Sequence, residues 1–484
     1  MATINTNDLR IQNAKNLIVS FNTGENANGY VFLGRVQPWP DDNAPTPPQN
    51  NFKDFYTTYD NMVALNRIQT IDSHHMIPKT RWVSGVAYDR YQHNYTLINR
   101  SFSGASNLYD AKYYVINSLN TVYVCLDNNN NSNSTVEPVA ESDFAFYTSD
   151  GYQWLKLYTI NSETLTTRST NNLMAVIPSV TNLQTEGAVY TVLIDNGGAL
   201  YTTNPVGATN QISGYYAHIE GDGTGAVAKV SISNSVITSV EVVRNGAGYT
   251  FASLDFSSGN VYQTLGDLDL GVNGLNPEGN GNFRNTVIIS PPGGWGSDLV
   301  RQLGGTRVGV FSTLNTPLFV ENYDCPFRQV GILQDFDYNG INPTSLNACF
   351  AIRLTGLAQG QSFIVGETIE QEITFDGRPK KAKGIVVGWN KEFGVLRYVQ
   401  GEEDTDTDGV LYPFIGDNDV VGLTSELSGS PFDFTGELTS MEFVNGYADP
   451  DITKYSGYMT YVSNISPITR DPQQSERISL VIAF

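Results

Sequence analysis

The sequence predicts a mainly β chain with some α. It reads as a multi-domain α+β protein, with an α/β core from both chain ends and inserted β-sandwich or barrel modules. Three observations carry this. Gly (45), Tyr (27) and Phe (23) are abundant, and glycine turns alternate with short aromatic and β-branched runs, the pattern of many short strands. Helical spacing of apolar residues is confined to the N-terminal part of the chain. A length of 484 residues leaves room for about three domains.

The elements follow in order. Asn7 and Asp8 are good helix N-cap types. Ala14, Leu17, Ile18 and Phe21 then fall at i, i+3, i+4 and i+7, an amphipathic helix ending before Gly24. Residues 30–33 read as a strand. The proline-rich stretch from Pro38 to Pro48 cannot be helical. A second helix is expected to carry Phe52, Phe55, Tyr56, Tyr59 and Val63 on one face. Short strands follow at 112–115 and 121–126, and the four asparagines at 128–131 form a hairpin tip or loop.

Residues 189–202 and 239–250 share one pattern: a strand, a glycine turn and an aromatic anchor. They read as a repeated hairpin within an inserted all-β module. In a later β-rich stretch, 385–387 and 395–398 could pair as a small barrel or hairpin. The apolar run 478–484 predicts a buried terminal strand. The expected organisation is an N-terminal core over 1–185, a glycine-rich β module over 186–285, more of the core over 286–350, a small β module over 351–445, and a C-terminal strand segment over 446–484.

Lys plus Arg is 28 and Asp plus Glu is 49, a net charge of −21. Coating nucleic acid needs clustered cations, so this balance argues against it, and against docking on anionic lipid. Charged residues are only 16% and hydrophobic ones 40%, which is not a disordered composition. No apolar run approaches the roughly 18 residues of a membrane span, and the first residues lack the features of a secretory signal. Three widely spaced cysteines, Cys125, Cys325 and Cys349, argue against a disulfide scaffold or a structural zinc site.

Catalytic constellations do not stand out. His74 and His75 are neighbours that point to opposite faces of a strand and cannot share a metal. No GxSxG elbow is present, and nothing supplies Cys125 with a histidine partner. The stretch 221–226, Gly-Asp-Gly-Thr-Gly-Ala, has the look of a dinucleotide loop. A strand-like pattern follows it, whereas such a loop must open a helix. Asp404, Asp406, Asp408 and Gly409 match positions 1, 3, 5 and 6 of a calcium loop, but position 12 is Ile415. A solvated acidic loop is the better reading, with these three carboxylates a weak cation candidate. No catalytic, cofactor-binding or metal residue is otherwise assigned. The chain is expected to work through its surfaces and not as an enzyme.

Several motifs, taken in order, add a family resemblance. Leu33-Gly34-Arg35-Val36-Gln37-Pro38-Trp39 is similar to an "FGR-x-x-PW" segment, and Met76-Ile77-Pro78-Lys79-Thr80-Arg81-Trp82 to "VIPR-x-x-W". Residues 150–160, with Gly151 and Trp154, are similar to "DGY-x-W-x-x-L-F-x-I". Residues 327–332, with Arg328, resemble "FRQISII". Residues 455–461, with Gly457, and Pro467-Ile468 are similar to "HSGEMIYMENRPPI". In this order they resemble the baseplate wedge protein of T-even-type bacteriophages, the dimeric outer subunit of a contractile-tail baseplate. The resemblance covers about 5–180 and segments of 286–350 and 450–484. The stretches 189–285 and 350–445 depart from it.

The resemblance implies a structural virion protein of the tail baseplate, assembled in the host cytoplasm. It would be a homodimer that contacts other wedge proteins, with no cofactor, nucleic acid or membrane insertion. Its mechanism would be mechanical, holding the wedge together and re-docking before tail contraction. In physical terms the motif residues are scaffold. Gly34 permits a close turn, Pro38 stiffens the strand exit, and Trp39, Trp82 and Trp154 each bury roughly 200 Å². Arg35 and Arg81 can cross-link loops or partner carbonyls. Two other readings stay open at this point: a glycan- or receptor-binding tail protein, and a virion polysaccharide hydrolase using two carboxylates.

Overall fold

The computed structural model describes residues 6–22, 29–181, 183, 185–208, 211–212, 214–314, 325–339, 343–357, 360–407, 409–470 and 476–484. The fold is mainly β, with 42% strand against 11% helix, and it holds several sheets and a closed six-stranded barrel. The chain forms two compact units. One comprises Met1–Ala14, His74–Val308 and Ala483–Phe484, and the other Lys15–Ser73 and Gly309–Ile482. Residues 15–73 therefore belong with the C-terminal half, not with the rest of 1–185. The cause is strand pairing: their strands need partners made two hundred and more residues later.

In the second unit, five antiparallel strands form one sheet in the order Ser345–Asn347, Met62–Arg67, Tyr30–Gly34, Cys325–Gln334, Tyr458–Arg470. All five residues of Tyr30–Gly34 are buried, as expected for an apolar run in mid-sheet. The helix Phe52–Asp60 lies just before the strand Met62–Arg67. Asn51 caps it by accepting from the Asp54 N–H at 2.8 Å. Asn61 ends it, its side chain donating to the Thr57 carbonyl at 2.8 Å. Val63 thus lies in the strand, not on the helix face where spacing had put it. Tyr59 is buried with Tyr30, Phe32, Leu65 and Leu333 in one cluster.

The barrel closes in the order Val395–Val399, Arg378–Asn390, Thr368–Phe375, Val420–Gly422, Ser428–Pro431, Phe350–Thr355 and back to Val395–Val399. The expected pairing of 385–387 with 395–398 is present as Ile385↔Val399 and Val386↔Tyr398. Ile352, Ile369, Trp389 and Leu396 fill the interior. A buried carboxylate pins one turn: Glu367 accepts the N–H groups of Ile364, Thr424 and Ser425 at 2.7, 3.0 and 2.8 Å.

In the first unit, Tyr114–Ile116, Thr121–Asp127, Gln153–Thr159 and Phe146–Tyr147 form a four-stranded antiparallel sheet. The glycine-rich insertion begins on Val189–Gly197 and ends on Phe283–Ile289, and these two strands pair with each other. Between them, Val236–Ala247, Thr224–Ser233 and Gly214–Gly221 make an antiparallel meander. Asp222 and Gly223 make the tight connection between two of its strands, with Gly221 ending one and Gly225 inside the next, so the stretch is a turn between strands and opens no helix. The repeated hairpin does not form: Val189–Gly197 pairs with the distant Phe283–Ile289, whereas Val236–Ala247 pairs back with Thr224–Ser233, the strand just before it. Their aromatic anchors do serve alike. Tyr201 and Tyr249 are both buried, lying where a Cβ on Gly279 or Gly223 would stand, 2.3 and 2.4 Å away.

The N-terminal helix, Asn7–Asn22, buries Ile11, Ala14 and Phe21. Thr6 starts it, its Oγ1 accepting from the Leu9 N–H at 3.3 Å. The terminal strand, Glu476–Ala483, buries Ile478 and Leu480 while Arg477 and Ser479 stay exposed. One face is covered, not both.

Candidate functional site

The motif residues fall into two clusters, one in each unit. In the second unit, three motif segments become strands of one sheet. Tyr30–Gly34 pairs with Cys325–Gln334, which pairs with Tyr458–Arg470. Gly34 sits where a Cβ would lie 2.7 Å from the Asn61 carbonyl oxygen, so only glycine fits there without backbone movement. Arg35 follows in a left-handed conformation (φ 56), and its N–H donates to the same carbonyl at 2.8 Å. This kink sends the proline-rich stretch back across the sheet.

An arginine clasp holds that stretch. Arg328, only 8% exposed, donates from Nε and Nη2 to the two carboxylate oxygens of Asp42, each at 2.9 Å. Its Nη1 donates to the Val36 carbonyl at 2.5 Å. A planar fork suits this three-point grip. The Arg328 bond holds the Asp42 carboxyl below the usual carboxylate range. Arg35 lies 3.9 Å from the centre of the Trp39 ring, a cation–π stack, and burial pushes its guanidinium below its ordinary value. The Trp39 indole N–H donates to the Ile465 carbonyl at 3.1 Å.

That carbonyl lies where the ladder slips. Register passes from Phe327↔Ile468 to Gln329↔Asn464, so 465–467, with Pro467, oppose Arg328. Pro38 also accepts from Arg35 Nη2 at 3.4 Å. Gly457 stands at φ 74, where a Cβ would meet the Gln334 carbonyl oxygen at 2.4 Å.

The first unit gathers the other motif residues. Trp154 is fully buried. It stacks on Tyr152, ring centres 5.4 Å apart, and meets Tyr88 edge-on at 6.1 Å. Trp82 packs against the same cluster, and its indole donates to Ser134 Oγ at 3.0 Å. Gly151 takes a left-handed φ of 84, with the Asn129 side chain 2.7 Å from the place of a Cβ. Asp150 ties the turn by accepting from the Thr135 and Val136 N–H groups at 2.7 and 2.9 Å. Burial would raise the Asp150 carboxyl, but bonds from Thr148, Val136 and Thr135 outweigh it and hold it low. The Pro78 carbonyl accepts from the Tyr114 hydroxyl at 3.1 Å, and Arg81 bridges Ile116 while its own side chain stays exposed.

The acidic loop is divided. Asp404 is buried and turns back to accept from the Gly401 N–H at 2.9 Å, whereas Asp406 faces Lys380 at 3.2 Å. Asp408 lies outside the described residues. Among the described residues, no group of three or more His, Cys, Asp or Glu could hold a metal ion. Burial pushes the Cys125 thiol well above its ordinary range, which disfavours the thiolate a nucleophile needs.

A buried ionic cluster in the second unit escaped sequence reading. Asp60, at the end of the helix Phe52–Asp60, accepts from the Tyr455 hydroxyl at 2.5 Å and faces Lys454 at 3.6 Å. Lys454 also donates to the Gln400 carbonyl at 3.0 Å. Burial lowers the Lys454 ammonium from its ordinary value, with Asp60 opposing that effect. Asp404 lies beside this group, and desolvation pushes its carboxyl up to about 6. No local spacing signals the cluster, since Asp60 and Tyr455 are 395 residues apart.

Among known proteins, no family model and no curated protein matches the chain. No helix among the described residues is long and apolar enough to cross a membrane.

Proposed function

We propose that the chain is a structural subunit of a contractile-tail phage baseplate wedge, acting as a homodimer that docks against other wedge proteins. One observation carries the reading. Three motifs that resemble the wedge family, hundreds of residues apart, fold as neighbouring strands of one sheet, and Arg328 clasps the loop leaving the first of them. A chance scatter of short motifs has no reason to converge on one clasp.

The geometry fits a mechanical role. Tyr458–Arg470 is an edge strand of 13 residues, and long edges offer backbone groups to partners. Large apolar side chains stand in solvent, including Phe52 at 80% and Ile98 at 98% exposure. Such residues suit the core of a protein–protein contact. The net charge of −21 would keep free subunits apart until assembly.

Size-exclusion chromatography with light scattering tests this, on the protein alone and mixed with the neighbouring tail proteins of the same virion. The expected result is twice the chain mass alone and a co-migrating complex in the mixture. A strict monomer that joins no tail protein would overturn the proposal.

A further inference from the structure

The first unit contains a cleft of about 720 Å³, within the roughly 300–1,000 Å³ of ordinary ligand sites. One wall is the core, through 90–102 and the asparagine loop at 127–131. The other wall is the insertion, through 192–195 and 237–240. We propose that this cleft binds a neutral oligosaccharide.

The lining chemistry selects the ligand. Its charges cancel: Arg90 and Arg100 are matched by Asp127 and Asp195. A phosphorylated or polyanionic ligand would need a surplus of cations. Much of the rest is amide and hydroxyl, groups that both donate and accept hydrogen bonds, which suits a ligand covered in hydroxyls and repels a lipid tail. Two aromatic rings also line the cleft and stand in solvent, Phe102 at 57% and Tyr147 at 50% exposure. A pyranose has C–H groups on its faces and hydroxyls round its rim. It therefore needs flat apolar rings beside polar side chains, and both are here.

The polar wall is set in advance. Asn128 is buried and donates to the Tyr88 carbonyl and to Asn131 Oδ1, each at 2.9 Å. Asn129 donates from its side chain to the Asp150 carbonyl at 3.0 Å. Asn129, Asn130 and Asn131 all hold left-handed φ values of 46, 53 and 64. Asparagine tolerates this region better than most residues, yet three in succession is a costly arrangement. The loop's exposed amides are thereby fixed at the cleft with little left to order on binding, which favours affinity.

A printed array of neutral and acidic oligosaccharides, followed by calorimetric titration with the best-retained neutral one, tests the proposal. Saturable binding to a neutral oligosaccharide is expected, at least tenfold weaker in Tyr147→Ala and in Phe102→Ala. Both rings are half exposed, so unchanged melting temperatures separate lost binding from lost fold. Phe251→Ala, an exposed aromatic outside the cleft, should bind as wild type. No retained glycan, a preference for acidic glycans abolished by Arg100→Ala, or binding indifferent to both cleft variants would each overturn it. The assembly reading is scored separately by co-migration, so failure here leaves that result standing.

Discussion

Replacing Asp404 by asparagine should stabilise the protein at pH 8 and give no gain at pH 4. In the fold, desolvation lifts this carboxyl from an ordinary value of 3.8 to about 6. Each pKa unit corresponds to about 1.4 kcal/mol, so the ionised carboxylate costs the folded state about 3 kcal/mol relative to the unfolded chain. The sign follows from proton counting. Between pH 4 and 6 the folded state holds the proton that the unfolded chain has released, so stability falls as pH rises through this window. Below about 4 both states are protonated and the cost vanishes. Above about 7 it is felt in full.

Asparagine removes the charge while its Oδ1 can still accept from the Gly401 N–H. Its added N–H2 group needs a partner in a buried place, so the expected gain at pH 8 is about 2 kcal/mol rather than 3. Urea unfolding of both proteins from pH 4 to pH 8, followed by circular dichroism, measures it. A variant no more stable than wild type at pH 8, or a gap that fails to close towards pH 4, would refute the reasoning.

Three other outcomes can be checked by melting experiments. Gly34→Ala puts a methyl 2.7 Å from the Asn61 carbonyl oxygen and should destabilise by about 1–3 kcal/mol, the usual cost of overpacking. Arg328→Lys keeps the charge but cannot grip both Asp42 oxygens and the Val36 carbonyl at once; a melting point a few degrees lower is expected, and an unchanged one would mean the clasp is idle. EDTA should leave the melting temperature unaltered, because Asp404 and Asp406 turn to Gly401 and Lys380; a drop would revive the cation site.

Elements built from neighbouring residues were legible in the sequence. The first helix shows its spacing in Ala14 and Phe21, both buried. The strand at 30–33 and the pairing within the barrel follow from β-branched and aromatic runs. The glycines at 221–226 could be read as a turn because the alternating pattern after them has the period of a strand. Val63 was misjudged because apolar spacing does not reveal that Asn61 stops the helix. The repeat misled because similar strand–turn segments do not name their partners. The site was legible in its members, Gly34, Arg35, Trp39 and Arg328, but not in its closure. Asp42 went unnoticed because its partner Arg328 is 286 residues away, and the Asp60–Lys454 pair is hidden for the same reason.

The glycine-rich insertion leaves and rejoins the frame at one spot. Ala188 accepts from the Ser290 N–H at 2.8 Å, and its own N–H donates to Ser290 Oγ at 3.0 Å. A module whose two ends are already hydrogen-bonded can be cut out and spliced over with a linker of one or two residues, or swapped for another of different sequence, without lengthening any loop of its host. Genetic exchange at that junction would therefore change one wall of the polar cleft as a cassette while leaving the rest of the subunit intact.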